Sequence, residues 1–189
     1  MFALDITLFF WLNATASSPV WLVPIARFAS LELPQLLVAG TVGAFLVGDA
    51  HVRRRVLWLL TAMLTAWLLA RLGQHFLPMP RPFSVGLGTA WLGHSNSAGF
   101  PSTHASVAFA FGIVVAASTR NRLLGLAALA LAGLVAWSRV CLGLHFPFDV
   151  LVGALVGGAS AWLCGLAPLQ RWFDGLLQRA TAARPASHS

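Results

Sequence analysis

The sequence predicts an all-α fold: a polytopic integral membrane helix bundle of about five transmembrane helices, with a six-helix core as the alternative, plus an N-terminal helix lying in the interface. Three observations predict it. Of the 189 residues, 58% are hydrophobic and 9% charged, at a mean hydropathy of +0.80, where a soluble domain carries about a quarter charged residues. Apolar runs long enough to span a bilayer recur along the chain. The positive charge collects between those runs, and all 12 basic residues are Arg, against 5 acidic ones. Such a composition excludes a water-soluble globular domain, a disordered chain and a secreted disulfide scaffold. A net charge of +7 and a pI near 11.7 would suit a nucleic-acid binder. The apolar content leaves no soluble basic face, however, so no nucleic-acid partner is expected and the charge reads as membrane topology.

Residues 2–13 are apolar but too short to span, and they lack the basic start and cleavage site of a signal peptide, so they read as an interfacial helix anchored by Trp11. Pro24, Arg27, Glu32 and Pro34 interrupt the next run; its clean part is Leu33–Val47, a span ending near Gly48 with its first half tilted or broken between the prolines. Val56–Leu77, Thr103–Ser118, Leu123–Leu142 and Val150–Ala167 complete the spans. Gly153, Ala154, Gly157, Gly158 and Ala161 suit close helix contact in the last one. Cys141 and Cys164 read as small buried hydrophobes. The division expected is a membrane domain over 1–169 and a cytoplasmic tail over 170–189, fraying after Arg184.

Arginine placement orients the bundle. Arg53, Arg54 and Arg55 lie between the first two spans, Arg120 and Arg122 between the third and fourth, and Arg171, Arg179 and Arg184 in the tail. If the spans alternate, all eight share one side, which the positive-inside rule makes cytoplasmic. The N-terminus and the loops 78–101 and 143–149 then face outward. Arg27, Arg71, Arg81 and Arg139 belong to the outer half, where an Arg at membrane depth needs a partner or a wet cavity. They point to an anionic ligand. Glu32, alone among the acidic residues in falling within a span, is expected to pair with Arg27 or Arg71.

The outer segments carry three polar clusters: Gln74-His75 with Pro80-Arg81-Pro82-Phe83, then Phe100-Pro101-Ser102-Thr103-His104, then Ser138-Arg139, His145 and Asp149. Pro101-Ser102 ahead of an apolar run reads as a helix N-cap. The free N–H groups of Thr103, His104 and Ala105 make an anion site there, unless Ser102 merely caps and His104 is an ordinary interfacial histidine. Gly143 suits a helix stop and Pro147 a first helical turn. Asp149 can then reach Nδ1–H of His145, leaving Nε2 as nucleophile or base. The plainer reading is an acid favouring a helix N-terminus beside a loop histidine. No H-E-x-x-H, Cys pair, carboxylate cluster, G-x-S-x-G or Walker loop occurs, so neither a metal nor another cofactor is expected.

Together these residues resemble the type-2 phosphatidic acid phosphatase superfamily, whose motifs are K-x6-R-P, P-S-G-H and S-R-x5-H-x3-D. Here they read Q-x6-R-P (Gln74, Arg81, Pro82), P-S-T-H (Pro101 to His104) and S-R-x5-H-x3-D (Ser138, Arg139, His145, Asp149). Gln74 stands for the family Lys and Thr103 for the family Gly; Arg71, one turn before Gln74, is a candidate for the missing charge. The short chain, the R-P-F tripeptide and the F-P-S-x-H-A run are most similar to the bacitracin-resistance type of undecaprenyl-diphosphatase. The resemblance implies His145 as nucleophile, Asp149 as its orienting group and His104 as acid and base. It implies Arg81, Arg139, Gln74, Ser102 and Thr103 as phosphate-binding residues, with no metal. Expected partners are a lipid phosphate and the bilayer. The expected reaction cuts undecaprenyl diphosphate to the monophosphate for cell-wall carrier recycling, on the outer side of a bacterial inner membrane. The alternatives are a phosphotransferase to lipid A or another lipid, a broader phosphatase acting on phosphatidic acid or phosphatidylglycerol phosphate, and a non-enzymatic lipid transporter.

Overall fold

The computed structural model describes residues 3–93, 97–166 and 169–175. Six helices follow in order: α1 (Ala3–Leu12), α2 (Leu22–Val47), α3 (Ala50–Phe76), α4 (Thr103–Ser118), α5 (Arg122–Cys141) and α6 (Pro147–Cys164). A 3-10 turn at Pro82–Val85 lies in the long α3–α4 loop, and no strand occurs among the described residues. Helices α2, α3, α5 and α6 are long and apolar enough to cross a membrane. Their outward faces are covered by exposed Leu, Val, Phe and Trp side chains such as Leu64, Leu126, Leu155 and Trp162, the surface a lipid solvent favours. Helix α4 has 16 residues, about 24 Å, and packs against α3, α5 and α6 at the centre.

Two boundaries differ from the sequence expectation. Helix α2 runs unbroken from Leu22 through both prolines. Pro24 sits in the first turn, where its missing N–H has no intrahelical acceptor to satisfy, and Pro34 removes only the bond to the Ser30 carbonyl. Helix α3 starts at Ala50 rather than Val56, so Arg53, Arg54 and Arg55 belong to its first turns and not to a loop. Asp49 makes this start possible by accepting the Val52 N–H at 2.8 Å, an N-cap bond. Arg53 then reaches back to the last carbonyls of α2, Phe45 at 3.1 Å and Leu46 at 3.2 Å. A cation there satisfies orphan acceptors and complements the helix dipole.

The α4–α6 contact is built on missing side chains. Gly153 faces Ser102 and Ala105, while Gly157 faces the Ser106 carbonyl and Ala110. With Ala161 and Cys164 they form the buried stripe of α6. Glu32 is exposed, and no ion pair joins it to Arg27 or Arg71 among the described residues; the expected pairing is absent. Residues 169–175 are helical and dock on the bundle instead of trailing from it: Phe173 is buried, Gln170 donates to the Cys164 carbonyl at 2.8 Å and Asp174 pairs with Arg54 at 3.1 Å. Arg179 and Arg184 lie outside the described residues.

Because a Cβ at Gly157 would fall against backbone atoms of α4, Gly157→Ala is expected to cost about 1–3 kcal/mol through overpacking. Nothing lies within 4 Å of a Cβ built at Gly43, so Gly43→Ala is expected to leave stability unchanged or raised. Thermal unfolding of the two purified variants in detergent checks the contrast.

Candidate active site

The site grows from the corner between α5 and α6. Gly143 turns the chain at φ +75°, a left-handed conformation that disfavours other residues. The N–H groups of Leu144 and His145 then both donate to the Arg139 carbonyl, at 3.0 and 3.3 Å. This fixes the His145 backbone, and its ring is almost fully buried. Pro147 opens α6, placing Asp149 in the first turn, where one carboxylate oxygen accepts the Phe146 N–H at 2.9 Å. The same oxygen lies 3.4 Å from Nδ1 of His145. On the other side of the ring, Nη1 of Arg81 lies 3.0 Å from Nε2. A guanidinium only donates, so Nε2 is the acceptor and Nδ1–H faces Asp149.

Arg81 is held more tightly than any sequence pattern implies. Nε donates to the Ser97 carbonyl at 2.9 Å, Nη1 to Leu144 at 3.0 Å and Nη2 to Ala98 at 3.2 Å. Burial lowers its pKa and the Asp149 charge opposes that shift; the group stays cationic at any physiological pH. Arg139, 2% exposed, donates through Nη1 to the Ser30 hydroxyl. Its Nε has no hydrogen-bond partner among the described residues. Three ionised side chains are thus buried together, Arg81, Arg139 and Asp149. Two are cations and one is an anion. A low-dielectric interior strongly disfavours the excess cation unless an anion joins it.

The N-terminus of α4 closes the site from the opposite side. Ser102 occupies the N-cap position but makes no capping bond, and its buried hydroxyl has no hydrogen-bond partner among the described residues. Its N–H donates to the Asp149 carbonyl at 3.0 Å, joining α4 to α6. Gln74 donates to the Thr103 hydroxyl at 2.9 Å and to the Pro101 carbonyl at 3.1 Å. Its own amide oxygen accepts from Arg71 at 3.1 Å.

Between these walls is a cavity of about 300 Å³. His104 and His145 line it with Arg81, Gln74 and Thr103, and Trp67, Arg71 and Ser97 complete it. A second, apolar cavity of about 250 Å³ runs between α2, α3, α4 and α5 and shares Trp67, Thr103 and His104 with the first. Six of the residues singled out by sequence, Arg71 among them, therefore line one space. Asp149 stands behind His145 and Ser102 behind the α4 N-terminus; Arg139 does not line the cavity. His75 is exposed beside Phe76 and also stays outside. No group of three or more His, Cys, Asp or Glu able to hold a metal occurs among the described residues.

Four supporting residues escaped sequence reasoning. Asn13 ends α1 and joins three segments: it donates to the Thr89 and Cys141 carbonyls at 3.0 Å each and accepts the Thr89 N–H at 2.8 Å. Asp5 accepts the Phe148 N–H at 2.9 Å, at the first turn of α6. Ser30 holds Arg139, and Trp67 joins the two cavities. Asn13 alone left a trace, as an amide closing an otherwise apolar run.

Comparison with known proteins matches the PAP2 superfamily over residues 55–173. The chain belongs to that superfamily. It is 32% identical over 154 residues to the putative undecaprenyl-diphosphatase YbjG of Escherichia coli K12, covering 82% of this chain and 77% of that protein. It is 30% identical over 135 residues to undecaprenyl-diphosphatase BcrC of Bacillus subtilis 168, covering 71% and 66%. The crystal structure of Aquifex aeolicus LpxE superposes with a TM-score of 0.73 at 26% identity, over 86% of this chain and 95% of that one. The chain is therefore a membrane phosphatase of the PAP2 type, a phosphoric ester hydrolase by family.

For a PAP2 chain with this Arg81, Arg81→Lys is expected to lower kcat/KM for phosphate release by about 100-fold or more, because an ammonium cannot reproduce a fork that spans three carbonyls and an imidazole. Phosphate-release assays on a variant of wild-type melting temperature check it. Asn13→Ala is expected to cost about 1–3 kcal/mol for each buried backbone group it orphans, visible as a lower melting temperature.

Proposed function

We propose that this PAP2 protein hydrolyses undecaprenyl diphosphate to undecaprenyl phosphate and inorganic phosphate, through a phosphohistidine intermediate. The observation that carries this reading is the buried pair of arginines with one carboxylate beside a histidine that lines a cavity and whose Nε2 accepts from Arg81. An anion completes that charge balance. The relatives named undecaprenyl-diphosphatase support the carrier lipid as substrate. So do the two adjacent cavities that share Trp67, Thr103 and His104, one apolar to take a chain and one polar to take phosphates.

In this mechanism the terminal phosphoryl group displaces Arg81 from the lone pair of His145 Nε2 and accepts its N–H groups instead. Nε2 attacks the terminal phosphorus, and the bond to the bridging oxygen breaks in line. His104, as imidazolium, gives its proton to that oxygen, so the lipid leaves as a monophosphate. Asp149 holds Nδ1–H and stabilises the charge that builds on the ring. Water then attacks the phosphohistidine, His104 takes its proton, and phosphate departs with His145 restored. Arg81 and the N–H groups of Thr103 and His104 stabilise the charge collecting on the equatorial oxygens. Arg139 supports them through the field of its buried charge. The site faces outward from a bacterial inner membrane and the tail lies in the cytoplasm, as the arginines concentrated at the opposite end support.

His145→Ala is expected to reduce phosphate release by at least about 1000-fold, in buffer containing EDTA, and to abolish acid-labile, base-stable labelling from substrate labelled on its terminal phosphate. Release by that variant at more than a few per cent of the wild-type rate would sink the mechanism.

A further inference from the structure

The two positions at which this chain departs from its family motifs, Gln74 and Thr103, touch each other, and together they hold a third residue. Gln74 has one amide group to donate and one to accept. Its NH2 is spent on the Thr103 hydroxyl and the Pro101 carbonyl, at 2.9 and 3.1 Å. Those bonds fix the amide plane and turn its oxygen to Arg71, whose Nη1 donates to it at 3.1 Å. A Gln bound in this way has no N–H left for a phosphate. The charge at this wall of the cavity is supplied by Arg71.

The position of Arg71 separates it from Arg81. Arg81 is 4% exposed and sits against Nε2 of His145, the inner end of the cavity, whereas Arg71 is exposed and lines the same cavity. Arg71 follows Trp67 by four residues on α3, so both project from one helix face. Trp67 also lines the apolar cavity. A substrate with its chain beside Trp67 and its reacting phosphorus at His145 must carry whatever lies between past Arg71 and His104. In a prenyl diphosphate the intervening group is the second, retained phosphate. In a lipid monophosphate that position holds only an ester oxygen and glycerol.

We propose that Arg71, positioned by the Gln74–Thr103 hydrogen bond, binds the retained phosphate of a lipid diphosphate and sets the preference for diphosphate over monophosphate substrates. This rests on the lipid-diphosphatase reading above. Arg71 touches substrate but not the reacting phosphorus; Gln74 is a positioning residue.

The test uses the full-length protein purified in detergent, with farnesyl diphosphate and phosphatidic acid as paired probes. Arg71→Gln is expected to lower kcat/KM on the diphosphate by about 10- to 100-fold, the loss of one charge-assisted contact, and to change the phosphatidic acid value by less than about 3-fold. A wild-type melting temperature is the check on folding. Arg71→Lys is expected to recover part of the diphosphate activity. Gln74→Leu is expected to lower the same ratio, and to add little to Arg71→Gln in the double variant, since residues acting as one unit are non-additive. Equal losses on both probes, or no loss on the diphosphate, would overturn the assignment of Arg71 while leaving the diphosphatase reading intact. A wild-type protein that releases no phosphate from the diphosphate overturns that reading, and the inference with it.

Discussion

The Arg81 guanidinium joins segments that are remote in sequence: the Ser97–Ala98 stretch of the long loop, and the α5–α6 corner at Leu144 and the ring of His145. Its geometry explains why an arginine is needed. Five N–H donors in a plane satisfy carbonyls that the loop would otherwise bury unpaired, an arrangement a flexible ammonium cannot imitate. The same contacts define the tautomer of His145, since the donor on one face makes Nε2 an acceptor and leaves Nδ1–H for Asp149. Structure and reactivity at this end thus depend on one ion. Its desolvation is opposed by the charge of Asp149, while Arg139, also buried, adds a second cation nearby. The site is assembled with a positive charge in excess, a stored preference for an anion.

Much of this was legible beforehand, for physical reasons that differ between elements. Hydropathy sets the spans, because a bilayer leaves a backbone no other way to bury its polar groups; α4, α5 and α6 lie within a few residues of expectation. Boundaries failed where a side chain outweighed the local pattern. Asp49 caps α3 six residues before the apolar run begins, and Arg53 turns what read as a loop into a helix start. Prolines at 24 and 34 read as breaks, yet one sits where no N–H is needed and the other costs a single bond. Glu32 read as half of an ion pair and stands exposed without one among the described residues. The proximity of His145 and Asp149 was legible because motif spacing sets them four residues apart at the start of α6. Asn13, Asp5 and Ser30 were not, since each acts across more than seventy residues of chain and short-range patterns carry no record of such contacts.

The departures from the family motifs are better read in pairs than singly. Alone, Gln74 is a lost charge and Thr103 an added methyl and hydroxyl near the phosphate site. In the structure the hydroxyl answers the amide, and the amide orders Arg71. A Lys at position 74 would have no bond to accept from Arg71 and would repel it. The three residues therefore form a unit in which each makes sense only with the others present. Single-position comparison with relatives would score two losses and miss the bond between them.

The arginines at the two ends of the bundle also separate into two kinds. Those at the start of α3 spend their donors on helix carbonyls and on Asp174, contacts that fix where a helix starts and how the tail docks. Arg81 and Arg139 are buried, and their charge is not matched by acids. Arginine can hold both roles because it never deprotonates, so burial cannot remove the charge as it would for lysine. The apolar cavity shares Trp67, Thr103 and His104 with the polar cavity at this cationic end, so those three residues separate an apolar lining from a charged one. An amphiphile divided at its headgroup satisfies both environments at once; a soluble phosphate satisfies one and leaves the apolar cavity empty.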